Sequence, residues 1–273
     1  TFTDLNGDSM AWAGVANTVV LDVNGNATIR DAELDALNGG NGNYAGASLT
    51  VQRAGTAVSS DTFGFNTTGA LFTVSGSNLQ SGGLIFATFT NTGGVLTITF
   101  TSSGTTATKT LVNEVLRRIN YRNDTPAGNA TIGFTFSDGV LNTTANVTVT
   151  SDTIYITDTS DTQTIDVSNG VSFREAVAIA AAATGSQTLV FSSAFASATV
   201  SLSGSLSINE SLTINADAAS GLIITGGSTI SLGGGTTLTW TNTTGTTALN
   251  ATLGGAGSLV KAGTGTLSLG SLS

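Results

Sequence analysis

Leu206-Ser-Ile208-Asn-Glu-Ser-Leu212-Thr-Ile214-Asn-Ala-Asp-Ala-Ala-Ser-Gly-Leu222-Ile-Ile224 is the stretch on which the fold turns. Its apolar residues come in pairs two positions apart, with Asn, Ser and Gly between the pairs. The same texture continues on both sides, through Leu189/Phe191 and Val200/Leu202 upstream and Ile230/Leu232, Leu238/Trp240 and Leu267/Leu269 downstream. Period-two alternation gives strands with one apolar face. Strands this short cannot bury a face alone, whereas stacked coils merge their faces into one continuous column. An antiparallel sandwich would need longer strands joined by hairpin turns. The pattern therefore predicts a right-handed parallel β-helix over residues 163–273. Just before it, Ser172-Phe-Arg-Glu175 has the spacing of a capping box. It opens an Ala-rich helix that runs to about Ala183 and ends near Gly185, placed to cover the open strand edge at the start of the stack.

The first half reads differently. Ala47–Arg53, Leu71–Ser75, Leu84–Thr90, Val95–Thr101, Thr131–Ser137 and Ala145–Thr150 alternate apolar and polar residues, and Gly- or Asn-rich breaks separate them. This predicts an antiparallel β-sandwich over residues 1–150. One helix interrupts it. Leu111, Val112, Val115, Leu116 and Ile119 fall on a single helical face. Asp124-Thr-Pro126-Ala-Gly128 reads as a turn. Residues 151–162 carry Asp152, Asp158 and Asp161 among Thr and Ser, and read as an acidic linker. The fold class is all-β.

Composition narrows function. The chain has no His and no Cys, two Lys among eight basic residues, and a formal net charge of -9. Absence of His and Cys removes the usual general base, the thiol nucleophile, structural zinc and disulfides. The scarcity of Lys and Arg argues against nucleic acid as a partner. No run of about 18 apolar residues suggests membrane insertion. Starting at Thr1 and stopping inside a patterned segment, the sequence reads as a monomeric piece of a longer protein, with its β-helix cut short.

Three motifs resemble known families. Ile29-Arg-Asp31-Ala-Glu33-Leu and Tyr44-Ala-Gly-Ala-Ser-Leu-Thr-Val51 are similar to the opening of cadherin-like repeats in giant bacterial adhesins. Leu111–Ile119, Tyr121-Arg-Asn123 and Phe134-Thr-Phe-Ser-Asp138-Gly139 resemble the end of those repeats. Val171-Ser-Phe-Arg-Glu-Ala-Val177 is similar to the element preceding β-helices of bacterial surface proteins, with Phe173 where Leu is usual. Gly257-Ser-Leu-Val-Lys-Ala-Gly-Thr-Gly-Thr-Leu-Ser-Leu269 resembles the repeat of autotransporter passengers. The resemblance implies a non-catalytic structural or adhesive segment of a large extracellular or bacterial cell-surface protein. Its partner would be a host- or neighbour-cell surface or a glycan. A carbohydrate-binding or carbohydrate-processing β-helix is the alternative, and a laterally self-associating matrix protein a third.

Calcium is the cofactor to consider. Asp22-Val-Asn24-Gly-Asn26-Ala-Thr28, followed by Glu33, sets oxygens at the positions of an EF-hand loop, but Ala27 stands where the sharp turn needs Gly. The plainer reading is a solvated Asx/Gly turn. The cadherin-like resemblance instead implies a Ca²⁺ site at Asp31, Glu33 and Asp138, with Asp35 as a spare. The linker aspartates would form a further site, or simply an acidic, solvated strand connector. Paired carboxylates for glycoside hydrolysis are not apparent in the β-helix, whose acids are Asp166, Glu175, Glu210 and Asp217. Of the aromatic residues, Trp240 alternates with Leu238 and reads as core, Tyr121 as packed on the sheet, and Trp12 as exposed.

Overall fold

The structure, a computed structural model, describes residues 1–273 except 13, 15, 16, 124–128, 184, 272 and 273. The expected turn at 124–128 thus lies outside the described residues. The chain divides into two compact units. One comprises 1–11, 18–123 and 130–150; the other comprises 12–17, 124–129 and 151–273.

The first unit is built of sandwich-like sheets. Its large sheet has eight strands in the order 9–11, 142–150, 130–137, 48–53, 95–100, 84–92, 78–81 and 73–75. Every pairing in it is antiparallel except that of Ser9–Ala11 with Asn142–Thr150. A three-stranded antiparallel sheet joins Val19–Val20, Ile119–Asn123 and Asp61–Phe65, and Phe2–Thr3 pairs with Thr28–Ile29. Alternation sorts the large sheet into two faces. Leu49, Val51, Leu96, Ile98, Phe134 and Phe136 are buried, while Thr50 sits between Thr97 and Thr135 on the other face. Helix α1 spans Ala32–Ala36 and helix α2 spans Lys109–Arg118. The Thr108 hydroxyl caps α2, and its buried face is Leu111, Val112, Val115 and Leu116.

The core of the three-stranded sheet holds a polar network. Asp61 Oδ1 accepts from Tyr121 Oη at 2.9 Å, Asn123 Nδ2 at 2.8 Å and Arg53 Nη2 at 2.6 Å. A buried carboxylate is tolerated only when paired and hydrogen-bonded in this way. The same burial, beside the Asp61 charge, pushes the Tyr121 phenol well above its ordinary range.

The second unit carries a β-solenoid of about three turns. One face stacks Thr153–Ile156, Gln187–Phe191, Leu212–Asn215, Thr237–Thr241 and Ser258–Ala262. A second stacks Thr199–Ser201, Ile223–Thr225, Thr246–Leu249 and Thr266–Leu269. A third stacks Leu206–Ile208, Thr229–Leu232 and Thr252–Gly255. All these pairings are parallel. Inward columns run Ile154, Leu189, Ile214, Trp240 on the first face and Leu206, Ile230, Leu253 on the third. Trp240 is fully buried and its Nε1 donates to Thr247 Oγ1 at 3.0 Å. Two coil corners require glycine. Gly226 and Gly255 have φ of 135° and 101°, and a Cβ there would stand 2.5 Å from Leu202 O and 2.2 Å from Leu232 O. The stretch read as a linker differs from expectation: Thr153–Ile156 is the first strand of the stack, and its Thr-rich sequence hides the inward pair Ile154 and Ile156.

Helix α3, Phe173–Ala182, has the full capping box. Ser172 Oγ accepts from Glu175 N, and Glu175 Oε2 accepts from Ser172 N at 2.8 Å. Glu175 Oε1 also accepts from Asp166 N at 2.7 Å. Phe173 stacks on Phe191 at 5.6 Å, and Phe191 meets Trp240 at 6.4 Å. Arg174 locks the helix to the first coil. Its Nε and Nη2 donate to the two oxygens of Asp161, each at 2.9 Å, while Nη1 reaches Ser205 O and Nη2 reaches Gly204 O. Burial pushes the Asp161 carboxyl up, but Arg174 and the N–H and hydroxyl of Ser203 outweigh it and hold the carboxyl below its usual range.

Removing one partner of a buried pair leaves the other unpaired, so Arg174→Met is expected to destabilise the second unit by about 3–5 kcal/mol. Both tryptophans belong to that unit, so urea unfolding followed by indole fluorescence reads it. Because the Asp161 pKa is depressed on folding, its contribution is present above the ordinary Asp value of about 3.9 and is lost as pH falls through the folded value. The wild-type unit should weaken across that acid range, and the Arg174→Met unit should show a flatter dependence.

Candidate functional site

Two elements bring the expected carboxylates of the first unit together. Asp31 is the N-cap of α1, where its Oδ1 accepts from Leu34 N at 2.9 Å. Asp138 follows the strand Ala130–Ser137 and makes an Asx turn, its Oδ1 accepting from Val140 N at 2.7 Å and Leu141 N at 2.6 Å. Asp31, Glu33 and Asp138 line one cavity of about 180 Å³, with Thr1, Phe136 and Asn142. The Leu141 and Val140 N–H groups hold the Asp138 carboxyl below its ordinary range, and the Asp31 carboxyl lies within hydrogen-bonding reach of it. Two carboxyl groups that close repel unless a proton or a cation sits between them.

The donor set suits a hard cation in kind, being oxygen only. It is incomplete in number. Among the described residues, no three of His, Cys, Asp and Glu are gathered closely enough to hold a metal ion. Backbone carbonyls, Asn142 and water would have to complete a Ca²⁺ shell around Asp31 and Asp138.

The other expected ligands lie elsewhere. Asp22 is buried and lines a separate cavity with Asn66, Glu114 and Arg117. Its Oδ2 accepts from Ala27 N at 3.0 Å, and its Oδ1 has no hydrogen-bond partner among the described residues. Asn24 is exposed. Glu33 belongs to the first cavity, so the EF-hand count along the sequence does not converge in space. Asp35, the spare, accepts from Tyr44 Oη at 2.8 Å. In the segment 151–162, Asp161 is committed to Arg174, and Asp158 accepts from Ser160 and Asn169.

Asp8 and Asn113 were not legible as partners of this region. Asp8 Oδ2 accepts from Val23 N at 3.1 Å, and Asn113 Oδ1 accepts from Ile29 N at 2.8 Å across 84 residues of sequence. Asp8 has a local signal in the Asp4-Leu-Asn6-Gly-Asp8 turn; Asn113 has none beyond its place on α2.

Among the aromatic candidates, Trp240, Tyr44 and Tyr121 are buried, and so is Trp12, which was expected at the surface. Trp12 Nε1 donates to Asn17 O at 2.7 Å. Burial with a satisfied N–H is the usual state of indole. Tyr155 is the exposed one.

Comparison with protein-family models, with curated proteins and with solved structures finds no match to this chain.

Asp138→Asn keeps the Oδ1 acceptor of the turn and removes the charge. Calcium in hundredfold excess over its Kd should stabilise the wild-type first unit by about 2.7 kcal/mol, with Asp138→Asn losing that gain and matching wild type in EDTA. Thermal unfolding with calcium, magnesium and EDTA reads this directly. No calcium-specific shift in the wild type would remove the site.

Proposed function

We propose that this chain is a non-catalytic structural and adhesive segment of a large bacterial cell-surface or secreted protein. The observation that carries the reading is the unbroken three-faced parallel ladder of the second unit, closed at its first coil by α3 and the Arg174–Asp161 lock. Each coil hydrogen-bonds to its neighbours along its strands, so load along the stack is shared across many backbone bonds. The sandwich-like unit adds a second rigid body. The motif resemblances of Val171–Val177 and Gly257–Leu269 point the same way for the second unit, and that of Phe134–Gly139 supports reading the first unit as a cadherin-like module. Calcium between Asp31 and Asp138, with Glu33 beside them, would stiffen its loops. The partner in this reading is a cell surface or a glycan, and the location is extracellular.

Beads coated with the chain should be retained on bacterial or host-cell layers above albumin-coated beads, while polysaccharides incubated with it come back undegraded. Depolymerised polysaccharide, with no retention of beads, would overturn the proposal in favour of a carbohydrate-processing β-helix.

A further inference from the structure

The basic residues of this acidic chain are not scattered. Of its eight Lys and Arg, Arg53 is bound to Asp61, Arg174 to Asp161, and the Lys261 ammonium to the carbonyls of Asn242, Ala262 and Gly263. Four others, Arg30, Lys109, Arg117 and Arg118, surround two cavities of the first unit, of about 300 and 260 Å³, that share Glu114 and Arg117 as a common wall. Helix α2 explains the clustering. Lys109, Asn113 and Arg117 recur every four residues and so fall along one face of the helix, and all three line the larger cavity. Arg30 enters from the segment that leads into α1.

The charge balance of the larger cavity is positive. Its acids are Asp35 and Glu114. Glu114 is neutralised by Arg118, whose Nε lies 2.9 Å from its Oε1. Asp35 accepts from Tyr44 Oη. Against that one carboxylate stand Arg30, Lys109 and Arg117. Arg30 is exposed, and among the described residues its guanidinium makes no hydrogen bond or ion pair; Arg117 spends only its Nε among them, on Ala27 O at 2.8 Å. The fork that reads a carboxylate bidentately is therefore free on both side chains.

The remaining walls are polar, with one apolar side chain. Asn113 uses its Oδ1 on Ile29 N, which leaves its amide hydrogens to donate. Thr110 adds a hydroxyl and Asp35 an acceptor. Leu71, half exposed, adds an apolar surface for a ring face. The volume falls at the lower end of the range of ligand pockets, about 300–1,000 Å³, which is room for one ring rather than a bare ion.

We propose that this cavity binds a monosaccharide unit bearing a carboxylate, held through Arg30 and Arg117. The inference deepens the adhesive reading by giving it a ligand class. The test is titration of the whole chain, followed by NMR shift changes or calorimetry, with glucuronic acid and N-acetylneuraminic acid, against glucose and acetate at matched ionic strength. Glucuronic or N-acetylneuraminic acid should bind with a millimolar Kd, and Arg30→Gln should weaken it roughly tenfold while the unfolding temperature stays that of wild type. Arg30→Lys should weaken it less. Binding of glucose as tight as that of the acidic sugars overturns the proposal. So does acetate binding as tight as either acidic sugar, an affinity unchanged by Arg30→Gln, or no binding by the folded chain. Bead retention that persists without acidic-sugar binding would overturn this site alone and leave the adhesive segment standing.

Discussion

A strand of three to five residues cannot bury an apolar face by itself, and the second unit is organised around that constraint. Each strand gains a dry face only when the next coil stacks in register, so the inter-coil ladder fixes everything else. It fixes the Leu, Ile and Phe columns. It also sets the corners at Gly226 and Gly255, where a side chain would strike the carbonyl of the coil before. The register tolerates adjustment at those corners. Gln187 pairs with Leu212, 25 residues on, while Thr237 pairs with Ser258, 21 residues on. The shorter last coil shows that strand pairing, rather than a constant repeat length, is what the sequence conserves from coil to coil.

A stack of this kind has an open first edge, and the chain closes it with charge as well as with hydrophobic cover. Phe173, Ala176, Val177 and Ile179 supply the apolar part. Arg174, on the adjacent position, turns into the first coil and satisfies Asp161 and two backbone carbonyls at once. Glu175 holds the segment leading into the helix by accepting from Ser172 and Asp166. A helix that docked by apolar contact alone could slide; three residues in sequence that point to cap, carboxylate and core leave one position. The first unit uses the same principle at Asp61, where one buried carboxylate ties strands Ser48–Arg53, Asp61–Phe65 and Ile119–Asn123 together.

Much of this was legible in the sequence because the informative signals are local. Period-two alternation located Ser48–Arg53, Leu84–Thr92, Val95–Phe100 and Ala130–Ser137; four-residue spacing located α2; the capping box located α3. What escaped is non-local or short. The strands Phe2–Thr3, Ser9–Ala11, Val19–Val20 and Thr28–Ile29 have two or three residues each, too few to show a period, and exist because partners distant in sequence pair with them. Asp161 looks like solvated linker until Arg174 and Ser203 are seen on either side of it. Asp22, Asn24 and Glu33 have EF-hand spacing along the chain, yet the pairing of Thr28–Ile29 with Phe2–Thr3 intervenes in that run, and Asp22 and Glu33 line different cavities. The basic face of α2 was visible as letters, but its meeting with Arg30 was not.

The account stands or falls on the parallel register of the coils. The chain has no cysteine, so paired introductions are clean probes. Thr213 lies directly beside Thr239 on the outer side of the first face, a separation of about 4.8 Å that a disulfide spans. Thr213→Cys with Thr239→Cys should oxidise to a crosslinked monomer in high yield, whereas Thr213→Cys with Thr237→Cys, one step out of register along the same face, should remain reduced. Crosslinking of the second pair in preference to the first, or of neither pair in the folded chain, would contradict the stacked solenoid on which the proposed function is built.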